Sequence, residues 1–238
     1  MSETIQLGDL SIAFTRKEVK NVHLSVHPPD GRVTLVAPTN TRTEVARAYA
    51  ASRLGWIRTQ QAALAAQPRE EPREFIGRET HYVWGRPHLL TIQYADAKPS
   101  VVQDHLTITL TVRPGSDEER RATVMHEWHK GLLHAVIPPL IERWEVKLGV
   151  KVAGYFLQRM KTKWGGCNPE DRHIRLNTEL VKKPRELLEY VIVHEMVHLL
   201  EPTHSDQFVT LMNDHFPRWR DARAELNDLP LGAEEWNE

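Results

Sequence analysis

Only one cysteine, Cys167, occurs in the 238 residues, so no intramolecular disulfide can form. Such a chain relies on burial and hydrogen bonding, and it suits a reducing compartment. No apolar run approaches the ~20 residues that a helix needs to span a bilayer. The opening stretch, MSETIQLGDLSIAFTRKEVK, lacks a basic segment followed by an apolar one, so it does not read as a secretory signal. A cytoplasmic location with no membrane partner is therefore expected. Charge of one sign is not in excess either. The 31 Lys and Arg against 32 Asp and Glu leave a formal net charge of -1, which excludes a global field aimed at nucleic acid or an acidic membrane but not a local patch. Internal repeats and low-complexity tracts are absent as well.

The hydrophobic pattern predicts an α+β fold, with a strand-rich N-terminal lobe ahead of a helical domain holding a small sheet. SIAFTR, HLSVHP and RVTLVAP read as strands, with PPDG (28–31) as a turn. Thr41-Arg-Thr-Glu44 resembles a capping box opening one helix to about Ala66. QPREEPRE (67–74) reads as a linker. THYVWG, HLLTIQYA and LTITLTV predict further strands, followed by a long helix from Asp117 that Pro138-Pro139 is expected to bend or break. KVAGYFLQRM and HIRLNTEL read as a strand pair before a helix led by Pro184. This divides the chain into 1–68 (strands plus helix), 69–116 (second strand-rich segment), 117–229 (helical domain with the small sheet) and 230–238 (acidic tail).

The chemistry is concentrated in YVIVHEMVHLLEPTHSDQF, Tyr190 to Phe208. Leu187, Leu188, Val191, Ile192, Val193, Met196, Val197, Leu199 and Leu200 cover nearly every direction of a helix, which marks it as buried. Buried imidazoles and carboxylates need partners. His194 and His198 lie four apart, on one helical face, so their nitrogens can share one metal ion. Glu195 lies beside them, placed to reach a water without being a ligand, as in the HExxH arrangement of zinc hydrolases. Pro202 then disfavours helix continuation, so His204 can turn back as a third ligand from the first turn of a following helix. Three histidines and an open position predict a catalytic Zn2+ site, with Glu195 as general base and then general acid. A core helix with two satisfied histidines is the plain alternative.

RMKTKWGGCN, HIRLNTEL, the proline-led helix YVIVHEMVHLL, THSDQF and FPRW together resemble the YgjP-like metallopeptidases (the DUF45 group). The N-terminal strands and the helix ending in WIRTQ share the resemblance, so it covers most of the chain, with 159–219 its specific part. The resemblance implies a zincin-like zinc peptidase with His194, His198 and His204 as ligands and Glu195 as catalytic acid and base. It also implies peptide or protein substrates. Through the related SprT-like proteases, some of which act on proteins bound to DNA, it suggests DNA or DNA-bound protein as a partner. Two positions depart from the pattern: Gly166 stands where serine is usual, and Glu201-Pro202 differs from the usual sequence before the third histidine. Glu201 also occupies the place of the metzincin glycine, so the chain does not read as a metzincin.

Two rival functions fit the same residues: a metal-binding, DNA-associated interaction module with little proteolysis, and a metal amidohydrolase of small molecules. Lesser signals have bland readings. His126, His129 and His134 on a charged helix read as a structural set, with a second metal site as the alternative. Trp164 to Cys167 read as a packing turn or as the rim of a cleft, with Cys167 as a fourth ligand as a further option. Arg159, Lys161, Lys163 and Trp164 read as a solvated face or a nucleic-acid contact. Tyr190, one turn before His194, reads as core.

Overall fold

The computed structural model describes residues 2–27, 31–66, 73–160 and 163–229. The expected linker at 67–74 and turn at 28–31 fall largely outside them, and the acidic tail at 230–238 wholly so. The chain forms two compact units, divided after residue 68.

In the first unit four strands pair in the order β1-β2-β4-β3: β1 (Ser2–Leu7), β2 (Leu10–Lys17), β3 (His23–His27) and β4 (Arg32–Pro38). The β1–β2 hairpin turns on Gly8, whose φ of 62° favours glycine. Alternation puts Ile5, Ile12, Phe14, Val33 and Leu35 on one buried face. Ala46 and Ala50 of α1 (Thr43–Ser52) and Ile57 of α2 (Leu54–Ala66) complete that core. The single helix expected over this stretch is interrupted at Arg53, which leaves helical geometry at φ -105°, ψ 7°. The capping box is not formed either. Arg42 is the N-cap and makes no side-chain cap, and the Thr43 hydroxyl bonds Glu3 instead.

The second unit contains two sheets and four helices. One sheet runs β5-β6-β8-β7, from β5 (Thr80–Val83), β6 (Arg86–Tyr94), β7 (Ser100–Gln103) and β8 (Thr107–Val112). The other runs β10-β11-β9, from β9 (Gly154–Gln158), β10 (Gly165–Asn168) and β11 (His173–Asn177). Residues 165–168, expected as a turn, form a strand antiparallel to β11.

Helix α3 (Glu118–Leu148) is capped by the Asp117 carboxylate, which accepts from Arg120 N, and closes on left-handed Gly149. Its 31 residues span about 46 Å at 1.5 Å each. Pro138 and Pro139 do not break it. Each removes one ladder donor, but the helix is clamped by its buried stripe Met125, His129, Leu133, Ile137, Ile141, Trp144 and Leu148. Met125 joins the core under the first sheet, while the residues from Leu133 onward join the core around α4 (Arg185–Val197). A 3-10 turn (Thr178–Lys182) leads into α4, and Trp84 N and Gly85 N donate to its Val181 and Lys182 carbonyls. Gly85, at φ 77°, approaches so closely that a β-carbon would lie 2.9 Å from Pro184 Cγ. Helices α5 (Asp206–His215) and α6 (Trp219–Asp228) follow. None of the described helices is long and apolar enough to cross a membrane.

Candidate active site

The helix expected around the two histidines is α4, and it is buried almost all round: only Arg185, Glu186, Glu189 and His194 escape full burial. It ends at Val197, with His198 as C-cap. Leu200 N and Glu201 N both donate to the Val197 carbonyl, turning the chain, and Pro202 prevents a further helical turn. His204 does not lie in the next helix as expected. It precedes Ser205, whose hydroxyl accepts from Phe208 N and so takes the N-cap position.

This corner brings the three histidines together. One ligand atom from each of His194, His198 and His204 lies within 4.8 Å of the other two. Nε2 of His194 and Nε2 of His204 are 3.0 Å apart. His198 Nδ1 lies 3.1 Å from the Glu201 carbonyl, which assigns the N–H to Nδ1 and leaves a lone pair on Nε2. Burial, then the neighbouring histidines, pushes His194 down to about 3, and burial also lowers His198. Both are therefore neutral imidazoles at pH 7, the form that binds cations. Among the described residues, this is the only set of three or more potential ligands so gathered.

The three rings share a support that the sequence did not announce. Phe208, 2% exposed, has its ring centroid 4.9, 4.7 and 4.8 Å from those of His194, His198 and His204. Tyr190 meets His194 edge-on at 5.9 Å and is buried, as a core residue would be.

Glu195 is buried at 6% exposure. Desolvation pushes its carboxyl up to about 8, against a smaller opposing effect of Lys163. It faces β10: a β-carbon at Gly165 would lie 2.5 Å from Glu195 Oε1 and 2.8 Å from Val191 Cγ1. A glycine inside a strand often marks such an approach. Asn177 at the end of β11 holds β10 in place. Its Nδ2 donates to the Met160 and Lys163 carbonyls, both at 2.8 Å, its Oδ1 accepts from Glu179 N at 3.1 Å, and its backbone N donates to the Trp164 carbonyl at 3.0 Å.

A cavity of about 920 Å³ opens over these groups, lined by the three histidines, Glu195, β10, Tyr190 and Arg223. Cys167 lines it but stands outside the histidine group. Burial and then the Glu195 charge push its thiol up to about 11, so it is not a thiolate at neutral pH. The other candidates lie elsewhere. His129 is buried in α3, His126 is half-buried, and exposed His134 bonds the Tyr155 hydroxyl at 2.8 Å. Arg159 pairs with Glu179 at 3.7 Å, and Trp164 packs on the core with Lys183 over its ring. Lys161 lies outside the described residues.

A family model described as YgjP-like, metallopeptidase domain, matches residues 20–229. Among solved structures, the metallopeptidase zymogen abylysin of Pyrococcus abyssi is similar over 37% of this chain and 89% of its own, at 22% identity and a TM-score of 0.35. The metallopeptidase zymogen jannalysin of Methanocaldococcus jannaschii is similar over 37% and 90%, at 20% identity and a TM-score of 0.33. No curated protein matches.

Proposed function

The chain belongs to the YgjP-like metallopeptidase family, and we propose that it is a cytoplasmic, zinc-dependent peptidase acting on peptide or protein substrates. The observation that carries this reading is the convergence of three imidazoles within 4.8 Å, lining the same cavity as one buried carboxylate. The family implies a divalent metal, and the donor set suits zinc: imidazole nitrogens on a rigid corner, with no thiolate among them. His194, His198 and His204 would hold it. Zinc bound there supplies Lewis acidity, which polarises a carbonyl and acidifies water.

The remaining work falls to the chain. His198 keeps its lone-pair nitrogen toward the cleft because its other nitrogen is tied to the Glu201 carbonyl. Phe208 fixes the planes of all three rings and keeps water from behind them. Glu195 takes the proton of the attacking water on its carboxylate and returns it to the leaving amine. Burial makes this position costly for an isolated carboxylate and favourable for one that faces a dication. Strand β10 has one strand partner among the described residues, β11, so its other edge is free to pair with an extended substrate along the cleft.

The test is metal analysis and hydrolysis of an unfolded protein such as casein. Wild type should carry about one zinc per chain, and His204→Ala should lose most of it. Glu195→Gln should keep zinc while hydrolysis falls by about two to four orders of magnitude. Undiminished hydrolysis by Glu195→Gln would remove Glu195 from its role, and full zinc in His204→Ala would remove that ligand.

A further inference from the structure

We propose that the cleft selects polypeptides carrying a carboxylate beside the scissile bond, held by Arg223 of α6 and Lys163 before β10. This rests on the peptidase reading and narrows its substrate class.

Helix α6 is docked by its buried face, Trp219, Ala222 and Leu226, and by Trp219 Nε1 donating to Asn213 Oδ1 at 2.9 Å. One step round the helix from Ala222, Arg223 lines the cavity together with His194 and Glu195. It is exposed and has no hydrogen bond or ion pair among the described residues. Its neighbour Arg220 is engaged instead, donating to Asn213 Oδ1 at 2.7 Å and lying over the Trp219 ring. Arg223 is thus a guanidinium on a fixed helix whose donors are unengaged among the described residues.

Lys163, two residues before β10, lines the same cavity, with its carbonyl anchored by Asn177 and its side chain exposed. Histidines aside, the charged lining residues are Lys163, Arg223 and Glu195. The one acid is buried and committed to the chemistry, so the charge available to a substrate is positive. Low-dielectric walls focus such a field, and a guanidinium binds a carboxylate through two parallel hydrogen bonds. Two carboxylates have this chemistry, an Asp or Glu side chain and the C-terminus of the substrate.

The test uses the full chain and fluorescein-labelled alanine-rich peptides of equal length carrying Glu, Gln or Lys, each with a free or an amidated C-terminus. Anisotropy should show the Glu peptides binding about tenfold more tightly than the Gln peptides, with the margin shrinking in high salt. A gain that depends only on the free C-terminus would assign the site to the terminal carboxylate. Arg223→Gln should abolish most of the preference, Arg223→Glu should turn it toward the Lys peptides, and Arg220→Gln should leave it intact. Thermal melts check that each variant is folded, and Lys163→Gln gives an independent partial loss. Equal affinity for Glu and Gln peptides together with no gain from a free C-terminus, binding of none of them, or an unchanged preference in Arg223→Gln overturns the proposal. Casein hydrolysis is followed in parallel. Cleavage without charge preference sinks the specificity and leaves the peptidase standing, whereas selective binding without any cleavage sinks the peptidase reading.

Discussion

Gly165 and Glu195 are in such close contact that a β-carbon on the glycine would lie 2.5 Å from the carboxylate oxygen and 2.8 Å from Glu195 Cγ. On the proposed reading, the strand offered to substrate along one edge is pressed by its backbone against the carboxylate proposed to move the proton. One piece of main chain would then set both substrate position and base position.

Gly165→Ala should separate the two. The methyl group must displace Glu195, Val191 or β10. Overpacking of this kind costs about 1–3 kcal/mol of stability, and misplaced catalytic groups cost about two orders of magnitude in rate. Zinc content should stay near wild type, because no ligand is touched. Parallel melting, metal analysis and kcat measurements check this. Wild-type turnover in a fully folded variant would refute the contact's role.

Phe208→Leu tests the platform under the three imidazoles. The loss of ring contacts should lower zinc affinity by about tenfold or more, the scale found when groups supporting ligands are altered. Competition with a chromophoric chelator reads this directly. An unchanged affinity would mean that the turn at Glu201 and Pro202 alone positions the ligands.

Asn177→Leu removes two donors from part-buried carbonyls at Met160 and Lys163 and an acceptor from the buried Glu179 N. Each buried group left unsatisfied costs about 1–3 kcal/mol. Asn177→Asp keeps the acceptor toward Glu179 N but cannot donate to the two carbonyls, so it should fold better than Asn177→Leu. Its defect should appear in kcat more than in KM. A stable Asn177→Leu protein would show that the loop before β10 needs no such clamp.

Acid should destabilise the fold through His129. Burial pushes this histidine from 6.5 down to about 3, with Lys182 adding to the effect, and its Nε2 is buried without a partner. Glu179, His81 and His126 are the other ionisable groups acting on it. Above pH 6.5 both folded and unfolded states are neutral at this position. As the pH falls from 6.5 toward 3, the unfolded chain takes up a proton that the fold refuses, so stability declines by as much as about 1.4 kcal/mol per pH unit. Glu179 adds to the loss below 4.5: burial opposes its charge, but Lys182 and Arg159 outweigh burial and lower its pKa. His129→Leu should flatten the decline between pH 6.5 and pH 4 in urea titrations. An unaltered slope would exclude His129 as its source.

What the sequence reveals here is local. The α+β order, the buried helix around His194 and His198, and the chain reversal at Pro202 that brings His204 back all follow from spacing within about ten residues. The contacts that complete the site join distant segments. Gly165 meets Glu195, Asn177 reaches back to Met160, and Arg223 arrives on a helix whose only sequence signal is its amphipathic period. The four-residue strands β7 and β10 are too short to announce themselves beside their turn-forming neighbours. Pro138-Pro139 does not break α3, because local backbone chemistry is outweighed by a stripe of buried residues on either side.

The long helix α3 has a bearing on portability. It contributes Met125 to one core and Leu133 through Leu148 to the other, and the hairpin turn at Trp84 and Gly85 is fastened to the residues that launch α4. A transplant of this site into another scaffold must therefore carry the β5–β8 sheet with it. Cut at Asp117, the graft would arrive with two turns of its main beam stripped of their covering and with the starting block of its histidine helix missing.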